Sequence, residues 1–545
     1  MRPLFRKTLS PLAGEGLEGR GERLFRDQDQ RPFWRGLWFW ALIVAAPLAG
    51  LGSPCEAQEA DGLLERWRIT PRLGVGMIYS DNIRQAPADE AESELVLEVE
   101  PGVSMRKQGG RLELNLDYSA QALFYTSDND ASTVNHDLRA FSTAELYQDH
   151  LFVDAYGSIS QVLIDSGGRA DPIALTDDRT TASRFGISPY WRQDFAGWAE
   201  AELRYRYDDV AFGRDEFDSA IHTVTFDLAS GRRSGPLSWS LDYSQQRQQR
   251  SGADSEDEGG EDDIRESASG RLSYRLSNQW ALVAEAGYVN DRVAGFEDVD
   301  NGFFWGLGAS WTPSRFFSLT GLYGPNLNEL IAQWNPTSRT SLRVGRREQD
   351  VGVDAGERWD GSLTHRTRYT TWSASYSEEV TSVQRLFDES LIRVGPDGRP
   401  VVLDEEGQIV PVDGSFGLST ENFLRKRFAA GVSYQRGRSG LGFDVFNESR
   451  EFPDGESDET AYGAGVFWNW QFAPRTNSTF GLRWERDELS DDRQNDYWIS
   501  EIGLTRRISP DLDGSLDYSH YWNEADPSDQ SFRENRLEAR LNMRF

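Results

Sequence analysis

Apolar and polar residues alternate with a period of two along almost the whole chain after Trp67. In the segment 111–122, leucine, tyrosine and alanine occupy the even positions and charged or polar residues the odd ones. The pattern recurs at 198–207, 237–244 and 515–520. Strict alternation over eight or more residues is typical of a β-strand with one apolar and one polar face. No window shows the apolar stripe of a capped helix. The sequence therefore predicts an all-β protein.

The predicted strands are long. Many have ten or more residues, whereas strands of soluble sheets usually have about five or six. A tilted strand needs about 9–11 residues to cross a bilayer. We predict about 24 strands, within a range of 18–26, and an even number places both chain ends on one side of the membrane. The stretch 328–366 is the least regular, which leaves about 22 strands open as an alternative.

The connections between strands fall into two classes. Short turns with a central proline occur at 311–315, 334–339, 472–475 and 508–511. Longer acidic segments occur at Ser251–Asp263, Glu451–Glu459 and Asp487–Asp496. Short periplasmic turns and long extracellular loops are typical of outer-membrane barrels. The predicted fold is therefore a large antiparallel transmembrane β-barrel with short turns in the periplasm and acidic loops outside.

The segment before the strands is typical of a secretory signal peptide. A basic flank is followed by an apolar run at 37–51 and a small-residue site that ends at Ala57, before Gln58. A helical membrane anchor is the alternative, although a proline and a glycine interrupt the run. The only cysteine of the chain lies in this leader. The predicted organisation is a leader at 1–57, a short periplasmic segment at 58–66 and the barrel at 67–545, with a long loop insertion at 384–420.

The C-terminal residues alternate without a break. Counted back from the end, every second residue is apolar, and the charged or polar residues lie between them. Such a last strand with a terminal Phe resembles the signal that the outer-membrane barrel assembly machinery reads. The residues of this predicted assembly signal are Leu537, Ala539, Leu541, Met543 and Phe545.

Composition excludes several classes of protein. The chain has 89 acidic and 58 basic residues and a net charge of -31, which argues against a nucleic-acid partner because phosphate contacts need a basic face. Aromatic residues make up 12% of the chain, more than disordered chains carry. Outside the leader, no stretch approaches the apolar length of a membrane-spanning helix. The predicted partners are the lipid bilayer and lipopolysaccharide of the outer membrane, and the barrel assembly machinery.

The polar faces of the predicted strands carry arginine and carboxylate together. Guanidinium groups suit rigid cross-strand pairing with carboxylates. Such pairs either stiffen the wall of a lumen or set its selectivity for ions and sugars, and both interpretations stay open. The insertion 384–420 is either an inward-folded constriction or a solvated outer loop. The candidate lumen residues are Glu200, Glu202, Arg204, Arg206, Arg271, Arg275, Arg343, Arg346, Arg425 and Arg427.

No pattern in the sequence predicts catalysis, a cofactor or a metal site. The five histidines do not stand at metal-ligand spacing. Asp81 and Asn82 are suitable calcium ligands but more often form a turn, and the acidic run 254–263 is favoured as a solvated loop over a cation site. We predict that the chain is not an enzyme. A barrel enzyme, such as a Ser–His phospholipase, is kept as a minor alternative.

Several short segments resemble a known family. The segments are 71–83, 92–96, 101–104 and 116–118, together with Arg111, and His365–Arg368 just before Trp372. They look like the outer-membrane β-barrel family associated with PEP-CTERM/exosortase systems, which is related to the broader set of β-barrel porins. The resemblance implies a Gram-negative outer-membrane location and a link to exopolysaccharide export or surface assembly. It assigns no catalytic residue.

The functional expectation is a channel or export pore for polar solutes. Exopolysaccharide export components are the further partners that the resemblance implies. The alternative is a non-conducting structural or surface-interaction barrel.

Overall fold

The computed structural model describes residues 67–545 with several internal gaps. The gaps are 165–170, 177, 214–217, 251–261, 297–298, 390, 395–399, 404–408, 412–415, 417, 420, 454–457, 490–492 and 527–529. The predicted leader with its cleavage site at Ala57 and Gln58, the segment 58–66 and most of the acidic run 254–263 lie outside the described residues.

Twenty-four strands form one sheet. Most of them have between 10 and 16 residues, as the sequence predicts; β13 is the shortest, with 8. The strands are β1 (Trp67–Ser80), β2 (Glu94–Lys107), β3 (Leu112–Tyr125), β4 (Thr133–Tyr147), β5 (Leu151–Leu163), β6 (Arg179–Asp194), β7 (Ala199–Phe212), β8 (Ser219–Ser230), β9 (Leu237–Arg250), β10 (Asp263–Arg275), β11 (Trp280–Val289), β12 (Gly302–Ser314), β13 (Phe317–Gly324), β14 (Leu327–Thr337), β15 (Thr340–Gln349), β16 (Gly356–Arg366), β17 (Thr370–Ser382), β21 (Asn422–Arg436), β22 (Ser439–Glu451), β23 (Glu459–Ala473), β24 (Thr476–Glu488), β25 (Gln494–Ser509), β26 (Leu512–Asp526) and β27 (Phe532–Arg544).

The sheet closes on itself. Each strand pairs antiparallel with its neighbours in sequence order, and β17 pairs with β21. The first strand β1 pairs with the last strand β27, with Tyr79 opposite Leu537 and Val75 opposite Leu541. Closure removes the exposed edges that an open sheet of this size would present. The predicted all-β barrel with 24 strands is confirmed, and the uncertain stretch 328–366 forms β14, β15 and β16.

The two ends of the barrel differ. Turns such as 315–316, 338–339 and 474–475 lie at the end that holds Trp67 and Phe545, which we call the turn end. Longer connections such as 81–93, 164–178 and 383–421 lie at the opposite end, which we call the loop end.

The long connection between β17 and β21 has structure of its own. It begins with a short helix, α1 (Val383–Glu389). A separate three-stranded sheet follows, made of β18 (Leu391–Val394), β19 (Pro400–Leu403) and β20 (Ile409–Pro411). A single 3-10 turn lies between β3 and β4, at Asn129–Ala131. Within the part of the chain that the structure describes, no helix is long and apolar enough to cross a membrane.

Candidate pore and its loop-end mouth

The alternation of the sequence separates an outer face from an inner face. On β27, the side chains of Leu537, Leu541 and Met543 are 40–51% exposed. The intervening Arg536 lies on the other face, where it is 2% exposed. Because successive residues of a strand point to opposite faces, this assignment extends through the register to every strand. The predicted assembly-signal residues therefore all lie on the outer, apolar face.

Ion pairs identify the inner face as the concave side of the sheet. Arg271 of β10 contacts Glu285 of β11 and Glu329 of β14, both at 3.0 Å. Arg347 of β15 contacts the same two carboxylates, again at 3.0 Å. Strands β12 and β13 lie between β11 and β14, so only a strongly curved sheet brings these side chains together. The four residues, which we call the charge quartet, are balanced in charge.

An apolar cluster supports the charge quartet from the same face. Its members are buried and come from β11 to β14 and the loop after β15: Val283, Val289, Phe304, Leu322, Leu327 and Val351. The guanidinium of Arg347 lies 5.4 Å from the centre of the Phe304 ring, within the range of a cation–π contact. This corner of the barrel is therefore packed on its inside.

Two of the predicted lumen arginines lie together on the inner face of β7. Arg204 pairs with Asp154 at 2.8 Å and with Glu202 at 3.0 Å, and its guanidinium lies 3.8 Å from the Tyr190 ring centre. Arg206 pairs with Asp208 at 2.9 Å.

A second pair of predicted residues lies on β21. Arg425 contacts Glu448 at 2.9 Å and Glu379 at 3.1 Å, and Arg427 also contacts Glu448. Glu448 is 3% exposed, so three strands, β17, β21 and β22, are joined by buried or half-buried charge. Such pairs fix the wall rather than present free charge to a solute.

One predicted lumen residue is on the wrong face. Arg343 points inward and contacts Asp360 at 3.2 Å, but Arg346 stands three residues later in the same strand and therefore points outward. There it contacts Glu357 at 2.8 Å, and the neighbouring outward residue of β16 is Trp359, which is 42% exposed. The sequence assignment of Arg346 to the lumen is corrected by this register.

The remaining two lumen candidates lie at the turn end. Glu200 and Arg275 are on inward positions of β7 and β10, and both are exposed. The structure does not bring them into the ion-pair clusters of the wall.

In the loop 164–178 between β5 and β6, the described residues 171–176 lie on the inner wall at the loop end. Asp171 of this loop pairs with Arg536 of β27 at 2.7 Å, and the two side chains are 4% and 2% exposed. The Tyr125 hydroxyl donates a hydrogen bond of 2.8 Å to the Ile173 carbonyl. Ile173 packs in an apolar cluster with residues of β1, β2 and β3. The loop thus reaches from β5 and β6 to the seam between β27 and β1.

The described ends of the insertion 383–421 also point into the mouth. The Leu418 amide donates a hydrogen bond of 2.8 Å to the Ile164 carbonyl, and the Leu418 side chain packs against Val210 and other inner residues of β6 and β7. Helix α1 contacts β7 as well. The guanidinium carbon of Arg450 lies 4.1 Å from the centre of the Phe416 ring. These contacts place helix α1, Phe416 and Leu418 against the inner wall.

Two parts of the wall that are not neighbours in the sheet meet at the loop end. Asn422 of β21 donates to Asp263 of β10 at 3.1 Å, and Arg265 of β10 donates to the Val380 carbonyl of β17 at 2.9 Å. Strands β11 to β16 separate β10 from β17 in the sheet. The part of the mouth that is bounded by β10 to β17 is therefore narrowed by direct contact between its two sides.

The loops around this contact hold a half-buried carboxylate, Asp291. Asp291 accepts hydrogen bonds from the Val353 amide at 2.9 Å and the Glu266 amide at 3.2 Å. Burial raises the pKa of Asp291, and these amide hydrogen bonds oppose that rise. The side chain is thus one more element that ties the loops together.

The candidate cation ligands build loops instead. Asp81 accepts two hydrogen bonds of 2.7 Å from Asn535. Asn82 accepts from the Ala86 amide at 3.1 Å and donates to the Arg533 carbonyl at 3.0 Å. Within the described ranges, no group of three or more His, Cys, Asp or Glu side chains is placed to hold a metal ion.

The sequence did not single out the acidic partners of the wall or the mouth. Four of these partners lie on inward positions of their strands, as the arginines do: Asp154, Glu285, Glu329 and Glu448. The alternation of the sequence could therefore have predicted that they face the lumen. Asp171 lies in a loop far along the chain from Arg536, and no local pattern connects the two.

Comparisons with known proteins add little to these observations. No protein-family model and no curated protein matches the chain. Among solved structures, it is similar to the siderophore receptor PirA from Pseudomonas aeruginosa, with 10% identity, a TM-score of 0.41 and coverage of 88% of this chain and 80% of that chain. It is also similar to the FrpB iron transporter from Neisseria meningitidis, with 11% identity, a TM-score of 0.43 and coverage of 89% and 84%.

A further similar structure is the siderophore receptor PirA from Acinetobacter baumannii, with 13% identity, a TM-score of 0.44 and coverage of 87% and 80%. At these identities and TM-scores, the likeness says nothing about what this chain transports. The fold assignment rests on the strand pairing of the chain itself, which is a closed antiparallel barrel of 24 strands.

Proposed function

We propose that the chain is a bacterial outer-membrane barrel that passes polar solutes through a lumen whose loop end is narrowed in this conformation. The observation that carries the proposal is the closed 24-stranded sheet with an apolar outer face and a charge-paired inner face. An apolar exterior around a polar interior is the arrangement that a spanning barrel requires. A Gram-negative outer membrane, lipopolysaccharide contact and insertion by the barrel assembly machinery belong to this proposal.

The size of the barrel supports transport. With about 4.8 Å between strands and a tilt near 40°, a round barrel of 24 strands would be roughly 50 Å across. The contacts of β10 with β14 and β21 flatten one part of that outline. Wall side chains alone do not fill a barrel of that width, so loops or a plug must control passage. The contacts of Asp171 and of the described ends of the insertion 383–421 with the inner wall support a role of these two segments in that control.

The solute class is supported by the sequence resemblance and by the ion pairs of the wall. The resemblance to barrels of PEP-CTERM/exosortase systems favours exopolysaccharide export or surface assembly, and the predicted leader 1–57 would carry the chain to the periplasm. Half-buried ion pairs on the wall suit neutral or weakly charged polymers better than free rings of one charge would, because paired groups exert a weak net field.

A second candidate function follows from the narrowed mouth. Because Asn422 contacts Asp263 across it and two loops fold inward, a non-conducting structural barrel is favoured by the same geometry. The two functions differ in whether removal of the insertion exposes a continuous path.

Planar-bilayer recording tests the proposal. We would compare the exported chain with a variant in which 384–419 is replaced by a short Gly-Ser linker, which removes the contacts of Phe416 and Leu418 with the inner wall. The matched control lacks 88–91, an exposed part of the loop between β1 and β2. We expect small or rare openings for the parent and the control, and conductance at least several-fold larger for the linker variant.

Heat-dependent gel mobility would verify that each variant is a folded barrel. A folded linker variant that stays closed at all voltages would refute the pore and support the structural barrel. Large openings that pass ions but block neutral dextrans of every size would contradict polysaccharide passage while leaving a solute pore in place.

A further inference from the structure

Three polar residues form a row across the last three strands of the barrel. Ser500 of β25 is directly opposite His520 of β26, and His520 is directly opposite Asn535 of β27. Directly opposed residues on one face have their Cβ atoms about 4.5–5.5 Å apart. All three share the parity of the exposed Ile502 and Leu537, so the row lies on the outer face of the barrel.

The row is held in place by a chain of hydrogen bonds. His520 Nδ1 lies 2.9 Å from Asn535 Oδ1. The Asn535 amide and its side-chain Nδ2 donate to the two carboxylate oxygens of Asp81, each at 2.7 Å. Asn535 Oδ1 is therefore turned towards His520, and since a carboxamide oxygen only accepts, Nδ1 carries the imidazole proton. Neutral His520 then has Nε2 as a free base, on the side of the ring away from Asn535.

The row lies at the edge of the apolar belt. Towards the turn end, the outward residues are apolar or aromatic: Leu516 and Tyr518 are 48% and 39% exposed. Towards the loop end, Trp498 is opposite Trp522, and tryptophan favours the boundary between headgroups and acyl chains. The acyl esters of membrane lipids lie at this boundary. A hydroxyl, an imidazole and a carboxamide that face lipid are costly, and such residues favour a functional role over a structural one.

The other histidines lack this arrangement. His136 pairs with the Tyr118 hydroxyl at 2.9 Å and His222 with the Tyr205 hydroxyl at 2.8 Å. His365 pairs with Thr340 at 2.8 Å and is opposite Trp372 on its other side. His150 lies at a turn, with its Nδ1 near the Arg192 carbonyl. Among the five, His520 alone stands between a carboxamide that fixes its tautomer and a serine.

We propose that Ser500, His520 and Asn535 form a serine esterase site for acyl esters of the surrounding membrane. Ser500 is the nucleophile, His520 is the general base and acid, and Asn535 is the positioning residue, as in other hydrolase triads. The proposal departs from the sequence-based expectation that the chain is not an enzyme, and it does not depend on conductance through the lumen.

The reaction is an acyl transfer to water. Ser500 Oγ attacks the ester carbonyl carbon while its proton passes to His520 Nε2. The bond from that carbon to the alcohol oxygen breaks, and the alcohol leaves with the proton. Water then repeats the attack on the acyl-serine, which releases the carboxylic acid and restores the hydroxyl.

The described contacts contain no hydrogen bond between Ser500 and His520. Rotation of the serine about χ1 would bring its hydroxyl towards the ring, and catalytic hydrogen bonds often tighten only when substrate binds. The proposal therefore requires this rotation of Ser500 when an ester enters the site.

A fluorophosphonate probe, which serine hydrolases displace with loss of fluoride, tests the assignment on the purified full barrel. We expect one labelled serine per chain, no labelling of Ser500→Ala, and at least tenfold slower labelling of Asn535→Ala. The control is Ser478→Ala, on the outer face of the adjacent strand β24 with its hydroxyl bonded to the Trp470 carbonyl, which should label like the parent.

Release of fatty acid from phosphatidylethanolamine vesicles that contain the barrel provides the second readout. It should follow the same order among the variants. Heat-dependent gel mobility would show that Ser500→Ala is folded, since the serine contributes no hydrogen bond to Asn535 or Asp81. Absence of labelling in the folded parent, or equal labelling of parent and Ser500→Ala, would overturn the proposal.

Discussion

The ion pair between Asp171 and Arg536 stabilises the position of residues 171–176 on the inner wall. Its atoms are 2.7 Å apart, and the side chains are 4% and 2% exposed. Loss of one partner from a buried pair costs about 3–5 kcal/mol, because the other charge stays buried. Arg536 keeps a contact with Glu534 at 2.7 Å, so we expect Asp171→Ala to cost about 3 kcal/mol. At about 1.4 kcal/mol per tenfold change, the loop would open roughly 100-fold more often.

Thiol labelling measures this opening. The only natural cysteine, Cys55, lies in the predicted leader. In a chain expressed from residue 58, Ile173→Cys therefore introduces a single thiol, at a position that is 6% exposed. The thiol reacts with a maleimide only when the loop leaves the wall. The labelling rate should rise about 100-fold when Asp171→Ala is added, in line with the cost of breaking a buried pair.

The matched control removes an exposed acid at the same end of the barrel. Asp128 contacts Arg84 at 3.3 Å, and both side chains are more than 40% exposed. Exposed pairs contribute about 0.2–1 kcal/mol, so Asp128→Ala should change the rate by less than about fivefold. Similar rates for the two alanine variants would refute the role of the buried pair as the clamp on this loop.

Two other changes test the packed corner of the barrel. A Cβ on Gly308 would lie 1.8 Å from the Gly321 carbonyl oxygen, so Gly308→Ala should abolish the heat-dependent gel mobility of the folded barrel. A Cβ on Gly270 would have no neighbour closer than 3.7 Å, so Gly270→Ala should preserve that mobility. Arg347→Met removes half of the positive charge of the quartet and should lower stability by about 2 kcal/mol in urea unfolding, a value reduced because the side chain is 36% exposed. Arg346→Met, on the outer face, should leave the unfolding midpoint unchanged.

Strand positions were predictable because one physical rule governs them. Each strand of a spanning barrel must place alternate residues on lipid, so the alternation at 112–122 marks β3 without any knowledge of its neighbours. The same rule could have excluded Arg346 from the lumen, since Arg343 and Arg346 have opposite parity. The prediction grouped the two arginines by residue type and so assigned both to the lumen.

The mouth was not predictable in the same way. Leu418 and Ile164 are joined by a backbone hydrogen bond, which depends on the path of two loops and leaves no mark in residue type. The Ser500 row is similar, because its members come together only through the register of β25, β26 and β27. Periodicity identifies a face, but it does not identify which residues become neighbours on that face.

The shortness of β13 has a consequence for the membrane. Its 8 residues rise about 27 Å along the strand, and at a tilt near 40° they span roughly 20 Å of the bilayer normal, less than the apolar band of about 25 Å typical of outer-membrane barrels. The 16 residues of β25 span about twice that height. Lipid beside β13 must compress its acyl chains while lipid beside β25 does not, so the barrel imposes a lopsided thickness on the membrane around it. Acyl chains will be least ordered along that one side, and the barrel will be tilted towards it.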